Sequence, residues 1–180
     1  EYQSLLNPGI PIPEFITRMT GISDADVASA PTFEDLADDI LMKFENAIFV
    51  AHNSQFDYGF LREEFRRLGY GFNLQQLCTV RLSRALYKEH RHHNLSAIIE
   101  RFEFECKNRH RAFDDAKVLW DFLQHCHSNV DQAELMKVLR QMVREPRLPR
   151  VVSAKPPQTP KPKMVLKTAE NGTLTLVPEK

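Results

Sequence analysis

The chain has 180 residues, enough for one domain or one domain with a tail. Apolar residues make up 42% and charged residues 27%, and 24 Lys+Arg balance 24 Asp+Glu. That excludes a uniformly basic nucleic-acid coat, and no apolar run approaches the ~18 residues of a membrane span. Cys78, Cys106 and Cys126 are widely spaced and odd in number, which gives neither a disulfide framework nor a zinc pattern. A reducing, cytoplasmic setting suits them.

In chain order, Tyr2 to Leu6 reads as a short strand stopped by Asn7-Pro8-Gly9. Glu14 to Met19 reads as a short helix ended by Gly21, and Ser23 as the cap of another over Ala25 to Ala28. Thr32 caps a helix whose apolar stripe is Phe33, Leu36, Ala37, Ile40, Leu41 and Phe44. Ala47 to Ala51 is a continuous apolar run, the pattern of a strand buried on both faces. Gln55 to Leu68 forms an amphipathic helix, with Phe56, Phe60 and Leu61 expected in the core around Asp57. Further helices follow over Thr79 to Tyr87, over Leu95 to Phe102 (capped by Asn94), over Ala112 to His125, and over Asp131 to Arg144. In the Ala112 to His125 helix the predicted apolar face is Ala112, Ala116, Leu119, Trp120 and Leu123, with Trp120 a core residue. A buried strand followed at once by a helix indicates an α/β layer arrangement.

Charge divides the chain near residue 146. Residues 1–143 carry a balance of −5 and residues 144–180 one of +5, and seven of the eleven prolines lie in the second segment. This predicts a domain over 1–146, a disordered Pro/Lys-rich linker over 147–164, and a β-hairpin over 165–178 turning at Asn171-Gly172. The basic tail is expected to attract nucleic acid non-specifically.

Two segments could carry chemistry. The first, Ala51-His52-Asn53-Ser54-Gln55-Phe56-Asp57, takes a strand end into a helix with a carboxylate in its first turns. The second, His110-Arg111-Ala112-Phe113-Asp114-Asp115-Ala116, puts a histidine at the mouth of a helix and carboxylates on its first turn. Each carboxylate alone reads as a partner of a helix dipole. Lys88 with His90, Arg91, His92 and His93 reads as a solvated basic loop, and His125 and His127 as dipole-favoured residues at a helix end.

Together the two segments resemble the DnaQ-like (DEDDh) 3′–5′ exonucleases. The likeness takes in Ile16-Thr17-Arg18-Met19-Thr20-Gly21-Ile22-Ser23, Ala30-Pro31-Thr32-Phe33 and Leu77-Cys78-Thr79-Val80-Arg81 over most of residues 1–127. It is closest to bacterial relatives of the polymerase III epsilon subunit. The resemblance implies a ribonuclease-H-like α/β exonuclease fold. It also implies hydrolysis of phosphodiester bonds at the 3′ end of single-stranded DNA with two Mg²⁺ or Mn²⁺ ions, in proofreading or repair, with a DNA polymerase subunit as a partner. On that likeness Asp57 and Asp115 are the metal ligands, His110 takes the proton from the attacking water, and His52 and Asn53 support the site or touch substrate. The two other readings are an exoribonuclease of the same fold and a non-catalytic remnant that binds nucleic acid or a polymerase.

One part of the pattern differs. The family's first motif is Asp-x-Glu on the first strand, and none of the ten aspartates here is followed by Glu two places on. Asp24-x-Asp26 is the nearest imitation and falls in a capped turn. The chain thus reads as a fragment lacking the fold's first strands, with little activity by itself, and with the 47–51 strand short of a neighbour.

Overall fold

The computed structural model describes residues 1–143 and the backbone of two strands, Met164–Thr168 and Leu174–Pro178. The chain divides into two units, Glu1–Leu148 and Pro149–Lys180. In the second, the two strands pair antiparallel, Met164 opposite Pro178 and Thr168 opposite Leu174. The expected linker and the Asn171-Gly172 turn lie outside the described residues.

The first unit begins with α1 (Glu14–Thr20), which ends at Gly21 in the left-handed conformation (φ 67°). Next comes α2 (Asp24–Val27), where the Asp26 carboxylate accepts from the Ser23 backbone N–H and hydroxyl. The helix α3 (Phe33–Lys43) starts in a capping box: Thr32 accepts from the Asp35 N–H, and Asp35 accepts from the Thr32 N–H. Then follow β1 (Ile48–Ala51), α4 (Ser54–Arg67), β2 (Gln75–Cys78), α5 (Thr79–Leu86), α6 (Leu95–Phe102), α7 (Ala112–Asn129) and α8 (Gln132–Met142).

β1 and β2 form a parallel pair, Ile48 beside Gln75 through Ala51 beside Cys78. A parallel pair needs a crossover, and α4 supplies it. Alternate side chains of β1 then serve two cores. Phe49 and Ala51 join Ala37, Tyr58, Phe65 and Phe72 on one side. Val50 packs with Leu77, Leu82, Ile98, Phe122, Cys126 and Leu135 on the other. The first core is aromatic: Phe65 stacks on Phe72 at 4.7 Å and meets Phe33 edge-on at 4.9 Å. Tyr58 Oη donates to the Phe72 carbonyl (3.2 Å) and accepts from the Leu74 N–H (2.9 Å), which ties α4 to the approach of β2.

Several expectations are corrected. Tyr2 to Leu6 is no strand; among the described residues no neighbouring strand offers it a ladder, and the Asn7 N–H donates instead to the Pro31 carbonyl (2.9 Å). β1 has a neighbour, β2, which Gln75 and Gln76 disguise as polar loop. β1 is not buried on both faces throughout, since Ile48 is 45% exposed. Phe56 and Phe60 are exposed and meet each other edge-on at 5.0 Å, rather than entering the core. Trp120 is exposed too; α7 buries Val118, Phe122 and Cys126 instead. Among the described residues no helix is long and apolar enough to cross a membrane.

Candidate active site

The carboxyl end of the β1–β2 pair fixes the first candidate segment. His52 follows the last residue of β1, and Thr79 follows the last residue of β2. The fully buried Thr79 hydroxyl joins them, 2.9 Å from His52 Nδ1 and 3.4 Å from the Ala51 carbonyl. A carbonyl only accepts, so the single hydroxyl proton goes to Ala51. Nδ1 of His52 then carries the ring proton and donates to Thr79, and Nε2 is left as a bare acceptor. Nε2 is buried with no well-formed hydrogen bond, although the His93 carbonyl lies close enough to the ring to favour its protonated form. Burial pushes the His52 pKa below its ordinary value, and the Arg109 guanidinium pushes the same way; the His93 carbonyl and Asp115 oppose them. His52 is therefore held neutral, within electrostatic reach of the second segment.

Asn53 caps α4 from a left-handed backbone (φ 71°), exposed, with no side-chain bond to the helix. Asp57 sits one turn in, beside the exposed Phe56. It keeps a solvent-facing side, yet partial burial raises its carboxyl above the usual range, and its own backbone N–H offsets only part of that. Such a carboxylate holds its charge against its surroundings and gains from a cation.

The second segment is a latched loop leading into α7. The Asn108 amide donates to the Asp114 carboxylate (3.0 Å), the Arg111 N–H to the Asn108 carbonyl (3.3 Å), and the Asp115 N–H to the Arg111 carbonyl (2.9 Å). His110 is exposed at a left-handed position, φ 67°. Asp115 lies on the core side of α7, three and seven residues before Val118 and Phe122, and is 27% exposed. Its Oδ1 is engaged by Nη1 of Arg109.

Some residues of this region escaped sequence reasoning. Thr79 had a signal, since a hydroxyl directly after a strand can tie two strand ends. Arg109 had none beyond standing next to His110. His93 is buried rather than solvated: its Nε2 donates to the His90 carbonyl (2.9 Å), so its Nδ1 accepts from Ser83 (2.8 Å). His125 is pushed by burial toward its neutral form, so it gives α7 little dipole compensation. Burial pushes the Cys78 thiol up, but backbone N–H groups of Arg81, Ser54, Asn53 and Val80 outweigh it and bring its pKa below the ordinary thiol value.

The donor chemistry of Asp57 and Asp115, carboxylate oxygens, fits a hard divalent cation. The place at Asp115 already accommodates positive charge. Among the described residues no three His, Cys, Asp or Glu side chains gather to hold a metal ion.

A family model described as an exonuclease (RNase_T) matches residues 1–123. The chain is 37% identical over 116 residues to a PolC-type DNA polymerase III of Caldanaerobacter subterraneus subsp. tengcongensis, covering 64% of the chain and 8% of that protein. It is 34% identical over 118 residues to the 3′-5′ exonuclease DinG of Bacillus subtilis, covering 65% of the chain and 13% of that protein. The chain thus spans only a small part of each relative's length. The structure of Exonuclease X in complex with 5′ overhanging duplex DNA superposes with a TM-score of 0.54 at 24% identity, over 74% of this chain and 78% of that one. That likeness extends to the fold.

Proposed function

Because the chain belongs to the exonuclease family, we propose that it serves to remove nucleotides from the 3′ end of single-stranded DNA, in proofreading or repair. What supports this reading is that Asp57, on the helix after the β1 end, and His110 and Asp115, at the start of α7, all lie within the residues that the family model matches. The 3′–5′ direction follows the DinG relative, and a link to a polymerase follows the PolC relative.

In this reading Asp57 and Asp115 hold Mg²⁺ or Mn²⁺. Such a cation, when bound, supplies a water nucleophile at neutral pH and relieves charge on the phosphate. His110 takes the proton from the attacking water. Its exposure on a fixed loop suits a group that must meet substrate, and proton transfer of this kind is worth ~10²–10⁴ in rate. His52, neutral and tied to Thr79, positions the strand end from which Asn53 reaches substrate. The exposed Phe56 and Phe60 lie beside Asp57 on α4.

The test is a 5′-labelled single-stranded oligonucleotide incubated with the chain and Mg²⁺ or Mn²⁺, beside an RNA of the same sequence. Turnover is expected to be weak, because the chain carries three of the five positions of the family's pattern. A ladder shortening from the 3′ end and abolished by Asp115→Asn and by Asp57→Asn supports the reading. Equal degradation by wild type and both variants overturns it, and preference for the RNA moves the substrate class. The Arg109 guanidinium that already engages Asp115 favours one second reading, a non-catalytic module that binds nucleic acid. Retention of the oligonucleotide without shortening would select it.

A further inference from the structure

Asp115 already has a cation. The Arg109 guanidinium reaches over the start of α7 from the loop before it and engages the carboxylate, with the two side chains only 31% and 27% exposed. The other ion pairs of the described helices are of a different kind. Arg66–Glu63 and Lys117–Asp121 are one-turn pairs on helix surfaces, with 69% exposed Arg66 and 52% exposed Lys117. Helix stability does not account for Arg109 either, since a positive charge at a helix N-terminus works against the dipole. The loop that carries it is latched to the same helix through Asn108 and Asp114, and His110 is the next residue. His52, at the β1 end, responds to Arg109 and Asp115 with opposite sign, so both charges bear on the carboxyl end of the strands.

We propose that Arg109 is a stand-in cation: it holds the Asp115 carboxylate until a divalent ion displaces it, and the released guanidinium then takes the phosphate of a nucleotide bound at the same place. This rests on the reading of Asp115 as a metal ligand. The exchange leaves neither charged side chain without a partner once metal and phosphate are both bound. Metal-free, the carboxylate faces a guanidinium in a half-buried place, where leaving it bare would be unfavourable. With a divalent ion bound, the carboxylate turns to the ion and the guanidinium needs a new anion. A planar guanidinium fork matches phosphate oxygens as well as carboxylate oxygens. Metal and nucleotide then favour each other's binding, as thermodynamic linkage requires.

The experiment measures Mn²⁺ affinity of the 180-residue chain by electron paramagnetic resonance and calorimetry, with and without thymidine 5′-monophosphate. Wild type is compared with Arg109→Gln, Arg109→Lys and Asp115→Asn, and circular dichroism checks the fold of each. Without nucleotide, Arg109→Gln should bind Mn²⁺ on the order of 10-fold more tightly, within the usual range of coupling between sites. Arg109→Lys should show a smaller gain, since an ammonium lacks the fork, and it carries the test if the glutamine variant does not fold. Nucleotide should tighten Mn²⁺ binding in wild type and do so less in Arg109→Gln. Unchanged or weaker Mn²⁺ binding in both Arg109 variants, with binding lost in Asp115→Asn, overturns the exchange while leaving Asp115 as a ligand. Unaltered binding in Asp115→Asn, or none in any form, overturns the ligand reading and the exchange with it.

Discussion

Replacing Thr79 by valine isolates the bond that ties the two strand ends at the site. Valine has nearly the same shape as threonine, so the fully buried position gains no cavity. What is removed is a hydroxyl 2.9 Å from His52 Nδ1 and 3.4 Å from the Ala51 carbonyl. The net loss of a hydrogen bond is ~0.5–1.5 kcal/mol, and stranding the His52 N–H adds ~1–3 kcal/mol. The ring's other nitrogen has no well-formed bond to fall back on, only the nearby His93 carbonyl, so moving the proton recovers at most part of the loss. A total of about 2 kcal/mol is expected, a drop of ~1 M in the urea midpoint for a slope near 2 kcal/mol/M. Thr79→Ser keeps the hydroxyl and loses a methyl, about 0.8 kcal/mol. Urea unfolding above the ordinary histidine pKa, followed by circular dichroism, separates the two. In a His52→Leu background the cost of Thr79→Val should shrink, because no stranded N–H remains. If serine is the more damaging replacement, or valine leaves the midpoint unchanged, the assignment of the His52 proton to Nδ1 is wrong.

Other expectations follow from the same structure. Phe65, fully buried between Phe33 and Phe72, should cost ~3–5 kcal/mol on truncation to alanine; a thermal melt close to wild type would show that the aromatic core does not hold α4. The folded His52 pKa lies below the ordinary 6.5, so between those two values the unfolded chain binds more protons and stability falls as pH drops. His52→Gln should flatten that part of the urea-midpoint profile, and an unaltered profile would disprove it. Asp57 has the opposite sign: its folded pKa is raised above 3.8, so the folded chain binds more protons in that window and stability falls as pH rises through it. Asp57→Asn should therefore match or exceed wild-type stability at neutral pH while losing activity, and a lower midpoint would contradict the burial argument.

Much of the helical frame was legible because its signals are local. Thr32 with Asp35, and Asn94 with its bond to the Ala97 N–H, are cap chemistry that needs no tertiary information. The strand pair was half hidden. Gln75 and Gln76 offer no apolar alternation, and their strand exists because β1 presents a parallel edge to them. Tyr2 to Leu6 failed for the converse reason, being a strand-like run with no edge to join among the described residues. On α7 two apolar faces compete, one through Val118, Phe122 and Cys126 and the other through Ala112, Ala116, Leu119 and Trp120. Periodicity cannot choose between them; packing on α5, α6 and α8 buries the first. That choice matters for the site, since it is the face that carries Asp115 inward. Arg109 was invisible because an ion pair across a loop has no sequence period at all.

Where the molecule forgoes stability is itself informative. Among the described residues, four non-glycine positions take positive φ: Asn46, Asn53, Glu103 and His110. Glu103 ends α6 with its N–H on the Ile99 carbonyl, and Asn46 follows the end of α3, so both stand where a left-handed residue commonly stops a helix. Asn53 and His110 stand at helix beginnings, where extended backbone is the rule and a left-handed residue satisfies no helical carbonyl. The same two segments hold the carboxyl disfavoured by its partial burial, Asp57, and the half-buried His52 imidazole, whose enclosed Nε2 has no well-formed hydrogen bond. They also hold a guanidinium on the wrong end of a helix dipole. Each of these could be relieved by an ordinary substitution, such as asparagine at 57 or glycine at 110. Their concentration on residues 52–57 and 109–115 is what is expected where a sequence is shaped by the demands of a site rather than by folding.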